Sequence, residues 1–365
     1  MPVPQTGGSP AGEPPAATPT LSAFGSAPSL AGAQELSRQA VAAGFRALWV
    51  PEGSQPVFSI CSAAALATPH LRLGTGVAVA FARSPMIAAQ AAWMLAQATG
   101  GRFVLGLGTQ VRAHVERRYS APFTHPGPRM REYVASLRAI FAAFRGDERL
   151  SFQGDYYAFS LLPQMWSPGP MDLDDPPIYV AGVRPWMCRM IGEVADGMLV
   201  HPLSTDAYLR QVVLAEVREG ETRAGRDPGR VKLVCPVMTA VSDDEADRDR
   251  QREQIRARLA FYGSTPGYGV VFDASGWPGV GERLAALQRE GRLAEMAALI
   301  TDEMVDAFAL IGTWDELPGR LLERFGGLAA DITCYSVAEQ WRDDPASVER
   351  WADVNRRFAE ISQSY

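Results

Sequence analysis

Leu71–Thr109 has the sequence LRLGTGVAVAFARSPMIAAQAAWMLAQATGGRFVLGLGT. An apolar, β-permissive run is followed by Ser84-Pro85, a helix N-cap and the proline favoured in a first helical turn. The helix predicted over Met86–Thr99 stops at a Gly-Gly pair, and a second apolar strand follows. The stretch therefore predicts a βαβ unit with two parallel strands.

Both strands of this unit end in small residues. The first contains Gly74-Thr75-Gly76, and the second ends in Gly106-Leu107-Gly108-Thr109. Glycine inside a strand marks a bulge or a place where another group approaches the backbone closely. Because the carboxyl ends of parallel strands meet at one edge, where α/β proteins bind ligands, we expect a binding site at these two turns.

The rest of the chain alternates strand and helix in the same rhythm. Eight strands of parallel character, each followed by a helix, predict an α/β fold of the (β/α)₈ TIM-barrel type with insertions; an open doubly wound sheet is the alternative. Between strand seven and the last strand lie about 90 residues, more than one crossover helix needs. We predict a lid insertion at about residues 263–310, beginning with a Gly-rich aromatic loop over Gly263–Gly281.

Composition excludes several classes of partner. The net charge of −6 and the pI near 5.4 argue against a nucleic-acid or membrane-surface partner. Four single cysteines and four histidines lack CxxC, HxH or HExxH spacing, so we expect buried thiols and no metal site. Residues 1–20, rich in Pro, Ala, Gly and Thr, are predicted to be a disordered tail before one domain over 21–365. With no secretory signal and no long apolar run, we expect a cytoplasmic protein.

Several short motifs, taken in order, resemble those of one enzyme family. They are AAGFRALW (42–49), LGTGV (73–77), RSP (83–85), GRFVLGLGT (101–109), PIYVAGV (177–183), ADG (195–197) and IGT (311–313). The sequence resembles the bacterial luciferase-like flavin and deazaflavin oxidoreductases, and within them the group dependent on coenzyme F420. The resemblance covers nearly everything after residue 20 and implies the luciferase-like TIM barrel.

The resemblance also implies where a cofactor binds. A non-prolyl cis peptide at Gly76-Val77 would lie against the tricyclic ring, and backbone N–H groups along Gly106–Thr109 and Gly182-Val183 would face the phosphate side. Arg112 is the candidate counter-ion of the phosphate, with a solvated loop arginine as the alternative. The expected cofactor-binding residues are Thr75, Gly76, Val77, Ala78, Gly106, Gly108, Thr109, Arg112, Gly182, Val183 and His201.

The sequence departs from the deazaflavin sugar dehydrogenases of this family. They place a His after the carboxylate that follows strand two and a Glu after the GxGT turn, where this chain has Gly53 and Val111. Their phosphate-binding lysine has no counterpart here, so sugar-phosphate oxidation is not expected. Glu52 and His114 remain the candidate catalytic residues, each able to relay or donate a proton, against plain alternatives of a loop carboxylate and a surface imidazole.

The implied function is that of an oxidoreductase dependent on coenzyme F420. It would transfer a hydride between reduced deazaflavin and an electron-poor C=C, C=N or C=O bond of a small organic substrate. Tyr268 and Trp277 in the insertion would close over substrate, or serve only in packing. An FMN-dependent luciferase-like monooxygenase is the first alternative, a non-catalytic flavin- or deazaflavin-binding protein is the second, and a homodimer is expected from the family.

Overall fold

A computed structural model describes residues 18–335 and 337–363. Its strands are β1 (Thr20–Phe24), β2 (Ala47–Val50), β3 (Arg72–Thr75), β4 (Ala78–Val79), β5 (Phe103–Gly108), β6 (Phe152–Gln153), β7 (Ala158–Phe159), β8 (Ile178–Ala181), β9 (Gly197–Leu199), β10 (Lys232–Val241), β11 (Ala309–Gly312) and β12 (Asp331–Cys334). The predicted disordered tail lies almost wholly outside the described residues. Thr20, which was assigned to it, already belongs to β1.

The helices follow the strands around the sheet. They are α1 (Leu30–Ala42), α2 (Val57–Ala67), α3 (Pro85–Ala98), α4 (Pro126–Arg145), α5 (Pro185–Val194), α6 (Asp206–Tyr208), α7 (Ala215–Arg223), α8 (Glu245–Gly263), α9 (Gly269–Ala274), α10 (Val280–Arg289), α11 (Leu293–Leu299), α12 (Asp302–Phe308), α13 (Leu317–Phe325), α14 (Val337–Asp343) and α15 (Ser347–Ser362). A π-helical segment, Leu209–Leu214, joins α6 to α7. No helix in the described part of the chain is both long and apolar enough to cross a membrane.

Eight parallel strands close into a barrel in the order β1, β2, β3, β5, β8, β9, β10, β12 and back to β1. The (β/α)₈ barrel predicted from the sequence is confirmed. The carboxyl ends of these strands and the loops that follow them form one rim, which we call the C-terminal rim. The four cysteines are buried free thiols, as expected, and Lys232 begins β10 at the opposite end.

The inside of the barrel is filled by side chains rather than by a channel. Trp49, Val104, Leu199 and Val234 pack together there. The Trp49 ring occupies the space above Gly74, where an added Cβ would come within 2.3 Å of it. This packing confines any ligand to the C-terminal rim.

The βαβ unit forms as its sequence predicts. Ser84 caps α3, its Oγ accepting from the Met86 N–H at 3.2 Å, and Gly100 and Gly101 end the helix with positive φ. The first strand of the unit is divided into β3 and β4, because it is interrupted at Gly76-Val77.

The insertion differs most from expectation. Gly263–Gly281, predicted to be a loop, contains α9 and the start of α10, and Val271 and Phe272 of α9 are fully buried. Positive φ angles at Gly267, Gly276 and Gly279 show that these glycines separate short helices. The insertion is therefore a helical layer with its own apolar contacts.

Candidate active site

The interruption between β3 and β4 forms a bulge at the C-terminal rim. The Gly76-Val77 peptide bond is cis, as the family resemblance implied. The Gly76 N–H donates to the Val50 carbonyl at 2.7 Å, and the Glu52 N–H donates to the Val77 carbonyl at 3.3 Å. Both bulge residues are half-buried, so they offer an apolar surface beside the end of β2.

A buried ion pair supports the bulge from behind. One Glu52 carboxylate oxygen accepts from the Val79 N–H at 2.6 Å and from Arg83 at 2.8 Å, and the other accepts from the second Arg83 nitrogen. Arg83 also donates to the Val79 carbonyl at 2.8 Å. The Glu52 side chain is only 5% exposed and both of its oxygens are occupied. Glu52 is thus built into the support of the bulge, and its predicted proton relay stays a prediction.

Two glycines of the GLGT turn are required by packing and not by an open ligand surface. The Gly106 N–H donates to Thr75 Oγ1 at 2.9 Å, and an added Cβ would lie 1.8 Å from the Thr75 carbonyl oxygen. A Cβ on Gly108 would lie 2.5 Å from the Val77 side chain. The Gly106 N–H is thus already donated to Thr75. The expected contact of a phosphate with Gly106–Thr109 stays a prediction. Thr75, Ala78, Gly106 and Gly108 are all buried, whereas Thr109 is half-buried.

The turn after β8 presents unoccupied hydrogen-bond donors. The N–H groups of Gly182 and Val183 make no hydrogen bond within the described residues. The Tyr208 hydroxyl donates to the Val183 carbonyl and so fixes the turn. Arg184, the N-cap residue of α5, is exposed and has no ion-pair partner in the described part of the chain. The sequence analysis missed Arg184, although it follows directly after the Gly-Val pair.

The segment 110–125 carries two predicted site residues, Arg112 and His114. Within this segment, His114–Arg118 forms a π-helical turn. Arg112 pairs with Glu116 at 2.7 Å and lies over the Phe123 ring at 5.2 Å. His114 is exposed and its side chain makes no hydrogen bond within the described residues. Neither Arg112 nor His114 makes a contact with Gly182 or Val183 among the described residues.

His201 follows β9 and lies between two tyrosines. Its ring is 5.1 Å from the Tyr262 ring and 4.6 Å from the Tyr268 ring, nearly edge-on to both. The Nδ1 atom accepts from the Leu203 N–H at 3.0 Å, so the proton is on Nε2. Desolvation lowers the pKa of His201 to about 3, which keeps the imidazole neutral at physiological pH.

Tyr262 and Tyr335 extend this aromatic wall, and the sequence analysis missed both. Their hydroxyl oxygens are 2.7 Å apart, and the Tyr335 ring stacks on Phe24 at 4.5 Å. Trp277 lies elsewhere, against Phe308 of α12. The structure therefore brings Tyr268 to the C-terminal rim beside His201 and gives Trp277 a packing contact inside the insertion.

Comparison with known proteins shows which family the chain belongs to. A family model described as luciferase-like monooxygenase matches residues 8–331. The chain belongs to this family. A relative in Mycobacterium tuberculosis, itself uncharacterized, is 40% identical over 306 residues that cover 81% of this chain and 90% of the relative. Membership of the luciferase-like family agrees with the (β/α)₈ barrel.

Other relatives carry names with an activity. A 5,10-methylenetetrahydromethanopterin reductase of Methanolobus tindarius is 27% identical over 284 residues, covering 77% of this chain and 82% of the relative. A protein of M. tuberculosis provisionally assigned as a coenzyme F420-dependent oxidoreductase is 29% identical over 297 residues, covering 77% and 84%.

Solved structures share the fold with this luciferase-like protein. The coenzyme F420-dependent tetrahydromethanopterin reductase from Methanopyrus kandleri superposes with a TM-score of 0.71 at 19% identity, covering 87% of this chain and 93% of that one. The FMN complex of the oxygenating constituent of 3,6-diketocamphane monooxygenase from Pseudomonas putida gives 0.62 at 16% identity, covering 91% and 92%. At these identities, the likenesses show the fold alone.

Proposed function

We propose that this protein is a coenzyme F420-dependent oxidoreductase that reduces an electron-poor C=C, C=N or C=O bond. The main support is the position of two features on the barrel. The bulge follows β3, the unoccupied N–H donors of Gly182 and Val183 follow β8, and only β5 lies between these two strands. Two strand spacings of about 4.8 Å place them on the order of 10 Å apart. That span suits a ligand with a flat ring at one end and a phosphate beyond a short polyol.

The residues at each end suit the two parts of such a cofactor. Gly76 and Val77 would support the ring with an apolar surface. The free N–H groups of Gly182 and Val183, the N-terminus of α5 and the Arg184 guanidinium would hold a phosphate. Arg184 replaces Arg112 as our candidate counter-ion, because Arg112 already pairs with Glu116.

When bound, reduced deazaflavin supplies a hydride. The chain's own residues then orient the ring, neutralise the phosphate and line the substrate space with the rings of His201, Tyr262 and Tyr268. The names of relatives that include coenzyme F420 support this cofactor for the present chain. The neutral imidazole of His201 presents its Nε2–H as a hydrogen-bond donor and not as an acid.

An FMN-dependent monooxygenase is the second candidate, because FMN also joins a tricyclic ring to a phosphate. The FMN complex of the 3,6-diketocamphane monooxygenase constituent, which shares the fold, supports this second candidate. The third candidate, a flavin- or deazaflavin-binding protein without turnover, requires the same site and differs only in activity.

Titration of the purified protein with F420 and with FMN, followed by cofactor fluorescence, tests the proposal. We expect F420 to bind with a micromolar or lower dissociation constant and FMN to bind at least tenfold more weakly. Tight binding of FMN with no binding of F420 would overturn the cofactor assignment and favour the monooxygenase.

Two arginine variants locate the phosphate. Arg184→Ala removes the unpaired cation beside the turn. The loss of one charge-assisted hydrogen bond, about 1.5–3 kcal/mol, corresponds to about 10–150-fold weaker F420 binding. Arg223→Ala, which removes an exposed arginine paired with Glu219 on α7, is the control and should bind F420 normally. If Arg112→Ala weakens binding more than Arg184→Ala does, the phosphate lies against the segment 110–125, as the sequence predicted.

A further inference from the structure

An unbroken series of aromatic contacts crosses the C-terminal rim from the bulge to His201. An added Cβ on Gly76 would lie 3.5 Å from the Phe24 ring, and Phe24 stacks on Tyr335. Tyr335 contacts Tyr262 through the two hydroxyl groups, and Tyr262 contacts the His201 ring. Phe24 is the last residue of β1, Tyr335 and His201 follow β12 and β9, and Tyr262 lies in the last turn of α8. Elements distant in sequence therefore bring these residues together. The Phe24 ring therefore lies between the bulge and the Tyr335 ring.

The hydroxyl groups of Tyr262 and Tyr335 cannot both donate a hydrogen bond to each other. Each phenol has one O–H donor, and the 2.7 Å contact between Tyr262 and Tyr335 uses only one of the two. Neither hydroxyl has another hydrogen-bond partner within the described residues, and both side chains are half-buried. One O–H group is therefore left to donate to a ligand atom.

The environment of Tyr335 keeps its hydroxyl group protonated. Desolvation raises the pKa of Tyr335 well above its usual value, so the hydroxyl is protonated at neutral pH. The Arg258 guanidinium lies 5.8 Å from the centre of the Tyr335 ring and pairs with Glu339 at 3.0 Å. The Arg258 cation favours a Tyr335 phenolate that forms transiently.

The other ionisable groups are less suited to this role. Both oxygens of Glu52 accept hydrogen bonds from Arg83 or Val79, so neither oxygen is free to contact a substrate. His114 is exposed on the segment 110–125. His201 is neutral, and giving up its Nε2 proton would leave an imidazolate. The tyrosine pair is therefore better suited to donate a proton than Glu52, His114 or His201.

We propose that the Tyr262–Tyr335 pair donates the proton to the substrate during reduction. The inference rests on the proposed function and identifies a substrate with a carbonyl oxygen or an imine nitrogen conjugated to, or part of, the reduced bond. A hydride from reduced deazaflavin forms the new C–H bond, and the carbon–heteroatom π electrons move to oxygen or nitrogen. A tyrosine O–H bond breaks as the new O–H or N–H bond forms, and solvent returns a proton to the phenolate.

A spectroscopic test of this pair requires no cofactor. Cyclohex-2-en-1-one is added to the protein, and the infrared carbonyl stretch of the bound enone is recorded. A tyrosine hydrogen bond shifts this stretch to lower wavenumber, so we expect the shift in the wild type and its loss in Tyr262→Phe/Tyr335→Phe. Tyr156→Phe, which removes a half-buried hydroxyl near His125, is the control and should retain the shift.

Turnover supplies the second measurement. With reduced F420 bound, the double variant should transfer hydride about 10²–10⁴-fold more slowly than the wild type, while its F420 dissociation constant stays within about twofold. The proposal is overturned if the wild-type complex shows no shift, or if the double variant keeps it. It is also overturned if hydride transfer is unchanged in that variant. Failure to bind F420 would refute the proposed function separately, because the infrared measurement does not depend on the cofactor.

Discussion

Replacing Asp331 with Asn is expected to stabilise the protein, because this carboxylate is buried inside the barrel. One oxygen accepts from Trp49 Nε1 at 2.8 Å and the other accepts from Thr20 Oγ1 at 3.3 Å. Both partners are neutral, and desolvation raises the pKa of Asp331 to about 6. An Asn amide can accept from Trp49 and donate to Thr20, so the substitution keeps both contacts and removes the charge.

The magnitude follows from the pKa. The usual value is 3.8, and a rise to about 6 corresponds to roughly 3 kcal/mol at 1.36 kcal/mol for each pH unit. Because the folded state binds the proton more tightly, this cost is absent below about pH 4 and complete above about pH 6. The free energy of unfolding of the wild type should therefore fall by about 3 kcal/mol across this window, whereas the variant should lack that decrease.

Guanidinium unfolding of both proteins at pH 4 and pH 8 measures the effect. We expect Asp331→Asn to be more stable by about 3 kcal/mol at pH 8, about 4 °C in melting temperature for a chain of this length, and much closer to wild type at pH 4. The exposed Asp172→Asn is the control and should change neither value. A variant less stable than wild type at pH 8 would refute the reasoning, because it would mean that the ionised carboxylate is favourable in the barrel.

Three further outcomes follow from the contacts around the rim and on the outer helices. Glu52→Gln leaves the buried Arg83 incompletely paired. It should lower the free energy of unfolding by about 2–3 kcal/mol, measured by denaturant titration at pH 7. An unchanged unfolding midpoint would show that the Glu52–Arg83 pair does not stabilise the bulge. Gly108→Ala places a carbon 2.5 Å from the Val77 side chain and should displace the bulge. We expect this to lower the free energy of unfolding by about 1–3 kcal/mol and to weaken F420 binding in the fluorescence titration. Wild-type affinity for F420 would contradict this. The helices α2 and α3 carry no charged residue, and Ile87 and Met94 of α3 are exposed. We propose that two copies of the chain pair through these two side chains of α3. Light scattering should then show that Ile87→Glu/Met94→Glu is a monomer, whereas a monomeric wild type would exclude the pairing.

The barrel was predictable because local signals determine its elements. Ser84-Pro85 and Gly100-Gly101 define α3 without reference to the rest of the chain, and apolar runs mark the parallel strands. The insertion was not predictable in the same way. Its glycines separate short helices whose burial depends on long-range contacts, such as that of Phe272 with Phe308.

The candidate site was predicted only in part, for a related reason. A glycine in the sequence does not show what occupies the space beside it, and at Gly106 the neighbour is the Thr75 backbone. The Glu52–Arg83 pair joins residues 31 positions apart, and the Tyr262–Tyr335 contact joins residues 73 positions apart. Arg184 alone carried a local signal, since it directly follows the Gly-Val turn and begins α5.

The most direct test of the central claim is the transfer of label from the cofactor to a substrate. Reduced F420 carrying deuterium at its hydride position is mixed with the protein and cyclohex-2-en-1-one under anaerobic conditions, and the product is examined by mass spectrometry. The F420-dependent assignment predicts that oxidised F420 appears and that one deuterium is bound to carbon in the product. Unlabelled product, or activity that requires FMN and oxygen and inserts an oxygen atom, would contradict it.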